Sequence, residues 1–548
     1  MPATFPASAS ASAAATPSVA SAADIVPEHV SAEIAALFDE AVARHRTAGV
    51  TWALIGGHGH SRAVLAHGAA GHRELAEGHP APGSAPMDRG TISRIASMTK
   101  SFTAATVLAL RDEGRLRLDD PVAQYVPEAD GAFETGPDDP EVTVGHLLTM
   151  SAGLVTDNPW GDRQEALTRE EFAEILRAGL GHVHRPGTGF EYSNTGYALL
   201  GRVIDEVTGS DYTTEIRRRF LDPLGLAKTA FEAASIDTGR LATGHRVGDR
   251  SDATRFEPVP LDSPGVYGAM AGLFSTVDDV ATWVRFLAAA DAPGEATPAG
   301  EPAAPPLSPA SRREMQQLQR HQPLAPLPAG EDGRSPGFDR VRGYGLGLVV
   351  EQFPDLGEVI SHSGGYPGYG SFMVWHRASG VGVVALANSK YAPATPLSMQ
   401  ALRLLQREVP ELLAPPRKTA SRQTLRAAAA AVDWLRTGDP AAADTAGTAE
   451  TAETEHTADI WFAGNMDLDS TRAERRRRLE AALAAAGLDH SALELLRPDN
   501  ATVLSRAQLR WTLRGAYDGA PSVRIDLLTD PRREALVQSL DVTTVAAG

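Results

Sequence analysis

Strand-like segments occur in two blocks far apart in the chain, and what lies between them reads mainly as helix. "GVTWALIGG" (49–57) and "RAVLAHGAAG" (62–71) make the first block. "GYGLGLVVEQF" (343–353), "GEVISHSG" (357–364), "YGSFMVWHRASG" (369–380) and "VGVVALANS" (381–389) make the second. All are short, rich in β-branched and aromatic residues, and punctuated by glycine. From about Thr91 to Leu287 the apolar residues instead recur with helical spacing, as in "FTAATVLALRDEG", "EEFAEILRAGL", "TGYALLGRVIDEVTG" and "TVDDVATWVRFLAAA". Strand backbones need partners, so this order predicts one sheet built from both ends of the region. Helices "SAEIAALFDEAVARHR" (31–46) and "TPLSMQALRLLQREV" (395–409) flank it. The helical middle, about 91–340, is expected against one side. The fold class is α/β in the α+β sense.

The same reading divides the 548 residues. Residues 1–28, rich in Ala, Ser, Thr and Pro, are expected to be a disordered lead-in. They lack a basic n-region and an apolar h-region, which points to a cytoplasmic protein; an export signal lost to a misplaced start codon stays open. Residues 29–415 form the main domain, with a Pro/Ala/Gly-rich surface insertion at 291–306. Residues 416–457 are a helix and a flexible linker, and 458–548 a small α+β domain in which Arg475–Arg478 mark a solvated helix face. A formal charge of −18 disfavours nucleic acid as a partner, and the absence of cysteine excludes thiol chemistry and disulfides. No apolar run is long enough to span a membrane. Oligomeric state is not legible.

Only four of the 51 basic residues are lysines. Lys100 stands out because it lies in "SRIASMTKSF", three residues after Ser97 and at the start of a helical pattern. At that spacing both side chains share a helix face. Only an amine, never a guanidinium, gives up its proton near neutral pH when desolvated. A serine hydroxyl is a weak nucleophile until a neighbour takes its proton.

Two further stretches carry matching chemistry. "FEYSNTGYALLG" holds Tyr192, a phenol able to shuttle a proton, and Asn194, an amide able to orient substrate or Lys100. "ISHSGGYPGYGS" holds His362, Ser363, Gly364 and Gly365 at a strand, where glycine lets a substrate backbone approach. Trp160 and Asp162 in "TDNPWGDRQ" belong to a loop that can rim a cleft, and a packed loop tryptophan is the equal alternative for Trp160. The pairs His58/His60 and His182/His184 lack a visible third ligand, so no metal and no cofactor is expected.

The ordered set S-x-x-K, Y-x-N and H-x-G resembles the serine β-lactamase and penicillin-binding-protein superfamily. Its class C-like branch, which includes D-alanyl-D-alanine carboxypeptidases, D-aminopeptidases and related esterases, is similar over roughly residues 30–410. The resemblance implies acylation of Ser97, proton transfer by Lys100 and Tyr192, and positioning of substrate and Lys100 by Asn194. It also implies a pocket lined by His362, Ser363 and Gly364, with an oxyanion hole from the backbone N–H groups of Ser97 and Gly365. Class C β-lactamases carry lysine where this chain has His362. That departure favours a peptidase or esterase acting on a small molecule or short peptide. β-Lactamase action, acyl transfer and a non-catalytic sensor or scaffold are the alternatives.

Overall fold

The computed structural model describes residues 25–58, 60–61, 63–134, 136–247, 256–292, 305–323, 340–390, 392–415, 418–438 and 461–546. The lead-in, most of the 291–306 insertion and most of the linker lie outside these residues. The chain divides into two units, Met1–Pro415 and Pro416–Gly548.

The first unit is organised by one eight-stranded antiparallel sheet. Its strands are β1 (Gly49–Ile55), β2 (Val64–Gly71), β3 (Arg320–His321), β4 (Val341–Tyr344), β5 (Val349–Phe353), β6 (Gly357–Tyr366), β7 (Tyr369–His376) and β8 (Gly382–Ala387). Their order is β2-β1-β8-β7-β6-β5-β4-β3. The two ends of the region meet where β1 pairs with β8, Thr51 opposite Leu386, as the strand blocks predict. Side chains alternate along β1: Val50, Trp52 and Leu54 enter one core, Ala53 and Ile55 the other. A strand covered on both faces therefore reads as one apolar run.

Helices α1 (Glu28–Ala43) and, beyond the sheet, α5 (Ala394–Glu408) cover the first face. Phe38 stacks on Trp52 at 5.4 Å between centroids. The other face carries α2 (Thr99–Asp112), α3 (Asn194–Thr208) and α4 (Val277–Ala288). Residues Thr99–Leu110 of α2 are all buried, which explains why its sequence is apolar or small on every side. Trp283 of α4 stacks on Phe102 at 3.9 Å and donates to Ser101 Oγ at 2.9 Å.

One segment departs from its expected form. "GYGLGLVVEQF" is two strands, β4 and β5, joined by a turn. Gly347 in that turn has φ +74°, and a Cβ there would lie 2.7 Å from Ala104 Cβ and 2.9 Å from the Lys100 carbonyl. The hairpin turns because its glycine must sit directly on α2.

The second unit has a four-stranded antiparallel sheet, β9 (Thr502–Ser505), β10 (Gln508–Leu513), β11 (Ser522–Thr529) and β12 (Val537–Val545). Helices α6 (Arg422–Thr437) and α7 (Arg472–Ala485) share its core. The sequence reading groups α6 with the linker, and the structure corrects this. Ala427, Ala431 and Leu435 form a stripe that packs in one core with Leu479, Trp511 and Ile525. The run Arg475–Arg478 is satisfied within the unit: Arg475 is buried near Asp467, and Arg477 and Arg478 pair with Glu474.

Candidate active site

Ser97 lies on a short 3₁₀ turn, Ala96–Met98, that leads into α2. The residue before it, Ala96, has φ +48°, a left-handed conformation unusual for a non-glycine residue. The turn is pinned to the sheet at Gly364. A Cβ at that position would lie 2.3 Å from the Ile95 carbonyl and 2.0 Å from Ser371 Oγ, and Ser371 itself donates to the Ile95 carbonyl at 2.8 Å. The space beside Gly364 is thus filled by the protein's own Ser97 turn, not by a substrate backbone as the sequence reading has it. Gly365 follows on β6, half-buried and opposite Gly370.

The Lys100 side chain is fully buried. Its Nζ lies 3.0 Å from Ser97 Oγ, 2.8 Å from Asn194 Oδ1 and 3.1 Å from the Met270 carbonyl. Asn194 Nδ2 donates to Asn158 Oδ1 at 2.9 Å, so its oxygen is the atom turned to Lys100. A neutral amine has two hydrogens and one lone pair. Asn194 Oδ1 and the Met270 carbonyl accept the hydrogens, and the lone pair is left for the Ser97 hydroxyl. Burial lowers the amine from 10.5 to about 7, against the opposing pull of Asp162, Asp157 and Glu165.

Tyr192 meets the other side of Ser97. Burial pushes its phenol well above the ordinary tyrosine value, and the hydrogen bond with Ser97 offsets part of that rise. The Lys100 amine also lies 5.0 Å from the Tyr192 ring centroid. Burial, the largest influence, keeps the phenol protonated in its resting form. Asn194 opens α3, whose first N–H groups are held by a carboxylate: Asp157 accepts from Asn194 N at 2.7 Å and Thr195 N at 2.8 Å. Ser193 caps the same helix through Gly196 N at 3.1 Å.

Two sequence-derived assignments need correction. His362 is 1% exposed, and both ring nitrogens are engaged: Nε2 lies 3.0 Å from the Tyr344 hydroxyl and Nδ1 2.7 Å from the Ser363 carbonyl. Burial is the main cause that lowers its pKa to about 3, and Lys100 adds to it. His362 is therefore a neutral residue behind Tyr192 with no polar atom left for a ligand. Ser363 is exposed but on the opposite face of β6, because successive strand residues alternate. It cannot share a pocket with Gly364.

Sequence reasoning missed Asp157, Asn158, Tyr344, Glu165 and the Met270 carbonyl. The first two sit in "TDNPWGDRQ", singled out for Trp160 and Asp162 instead. Trp160 is 44% exposed and edge-on to Tyr267. Asp162 is buried near Lys100, and burial pushes its carboxyl up to about 6.

The sheet, the helical face and the placement of Ser97 beside Lys100 define a β-lactamase-like fold. Residues 34–408 match the Beta-lactamase family, and the chain belongs to it. Protein flp of Staphylococcus aureus (strain MW2) is 28% identical over 310 residues, 55% of this chain and 53% of that protein. The chain thus spans about half the length of that relative. Among solved structures, the octameric penicillin-binding protein homologue from Pyrococcus abyssi shares 21% identity at TM-score 0.55, over 93% of this chain and 99% of that one. The D-amino acid amidase from Ochrobactrum anthropi SV3 shares 22% at TM-score 0.54, over 69% and 99%. Among the described residues no helix is long and apolar enough to cross a membrane.

Proposed function

We propose that the protein is a serine acyl-hydrolase that cleaves a small amide or ester through an acyl-enzyme on Ser97. The observation that carries this reading is the buried Lys100 amine, lowered by burial to about 7, with its Nζ 3.0 Å from Ser97 Oγ. The neutral amine takes the Ser97 proton as Oγ attacks the substrate carbonyl. The backbone N–H groups of Ser97 and Gly365 are the proposed donors to the oxyanion. Tyr192, protonated and touching Ser97, delivers a proton to the leaving amine or alcohol and regains one from Lys100. Water then enters by the reverse path and releases the acid.

The surroundings favour a neutral or cationic substrate over one bearing a carboxylate. His362 supplies no cation. Arg94, the cation just before the nucleophile turn, is 1% exposed and faces Glu165 at 3.5 Å. Amides and esters of D-amino acids with a free amine fit this better than β-lactams or peptides with a terminal carboxylate. The D-amino acid amidase of matching fold acts as a precedent for that class. The test is intact-protein mass spectrometry after exposure to activated esters, D-amino-acid amides and penicillins. A mass increment on the wild-type chain, absent from Ser97→Ala, is expected. An equal increment on both chains would remove Ser97 as the nucleophile.

A further inference from the structure

The face of the sheet opposite the nucleophile carries a second cleft, of about 310 Å³. Strand parity assembles it. Arg342 stands opposite Glu351, Val349 opposite Ser361 and Ser363 opposite Phe372, so these side chains project to one face. Arg340, Phe353, and Met399 and Arg403 from α5 complete the lining.

Among the described residues the lining of this cleft carries more positive than negative charge: it holds three guanidiniums and one carboxylate. Glu351 serves two of them, Arg340 at 3.2 Å and Arg342 at 3.9 Å. Arg403 reaches Asp355, outside the lining, at 3.1 Å. Arg340 and Arg403 also lie over one ring, Phe353, at 5.8 and 5.2 Å from its centroid. Arg342 is partly withdrawn from solvent, and its Nε is buried without a hydrogen-bond partner. Three guanidiniums brought together repel one another, and Glu351 and Asp355 offset that only in part, which leaves the cluster suited to a further anion. Guanidinium forks match oxyanions. Ser363 adds an exposed hydroxyl on the same face, and Phe353, Phe372 and Met399 supply an apolar flank.

We propose that this cleft binds a small organic oxyanion, a carboxylate or a phosphate monoester with an apolar or aromatic body, at the Arg340–Arg342–Arg403 triad. The site is separate from the Ser97 cleft and joined to it through β6, whose His362 and Gly364 face one way and Ser361 and Ser363 the other.

Isothermal titration of the full chain with phenyl phosphate, benzoate and, as the uncharged control, phenol tests this. Saturable binding of at least one anion and none of phenol is expected, with phosphate and carboxylate told apart by which binds more tightly. Arg342→Gln and Arg403→Gln should each weaken that binding about tenfold or more, and Ser97→Ala should leave it unchanged. Arg403 is 40% exposed, so its variant keeps the test open if Arg342→Gln does not fold. No saturable binding of either anion, affinity equal in the arginine variants, or loss of binding in Ser97→Ala would overturn the proposal.

Discussion

If the neutral Lys100 amine is the base, acylation must follow its titration. A lysine at its ordinary 10.5 is neutral in about one molecule in 3,000 at pH 7, whereas one at about 7 is neutral in half. Burial thus raises the supply of base more than a thousandfold. Between pH 5.5 and pH 8 the neutral fraction rises from about 3% to about 90%, so the acylation rate should climb about 30-fold. Asp162, pushed up to about 6, titrates in the same window, and the acid limb belongs to the coupled pair. The sign of their coupling gives the sharper test. The Asp162 carboxylate favours protonated Lys100, so Asp162→Asn must move the midpoint to lower pH and raise the rate at pH 6 relative to that at pH 8. Lys100→Arg keeps a charge but holds no neutral form in this range, and should lose about a thousandfold. Stopped-flow acylation by a p-nitrophenyl ester from pH 5 to pH 9 reads both. A midpoint that stays put or rises in Asp162→Asn, or an active Lys100→Arg, would refute the assignment.

Three further outcomes follow from the same geometry. If Tyr192 is the acid that serves the leaving group, Tyr192→Phe should lower kcat for an amide about 10²- to 10⁴-fold and that for a p-nitrophenyl ester, whose leaving group needs no proton, far less; equal losses would place Tyr192 elsewhere in the reaction. Gly364→Ala puts a methyl 2.3 Å from the Ile95 carbonyl, so it should displace the nucleophile turn, lowering both Tm and acylation rate, and full activity would contradict the contact. Glu165 is completely buried and raised by that burial from 4.5 to about 7. Its folded form holds a proton that its unfolded form releases between those values. That stabilisation, roughly 3 kcal/mol, is present below pH 4.5 and lost as pH rises through 7. Urea melts should show the wild type losing stability relative to Glu165→Gln across this window; parallel curves would show that Glu165 does not titrate there.

What the sequence reveals here depends on whether a role is tied to a side chain and to a repeat. Ser97 and Lys100 are three residues apart on a helical pattern, so their contact follows from helix geometry alone, and Tyr192 and Asn194 precede a recognisable helix start. The sheet that joins β1 to β8 is legible because both blocks have strand patterning and neither can pair alone. Other features leave weaker traces. The Met270 carbonyl holds Lys100 through an atom that every residue possesses. Asp157 works as a helix cap for a segment 37 residues away, and only the fold brings the two together. His362 reads as a pocket residue because its type suits one, yet whether its nitrogens are free depends on Tyr344, which arrives from the neighbouring hairpin. Ser363 is the instructive case, since the information was in the sequence. A residue between His362 and Gly364 on a strand must point the other way, so it does not line the pocket that the motif resemblance implies. The same parity, followed across β4, β5 and β7, gathers Arg342, Glu351 and Phe372 on the face that Ser363 occupies. Strand β6 therefore borders the Ser97 turn with one face and the arginine-lined cleft with the other.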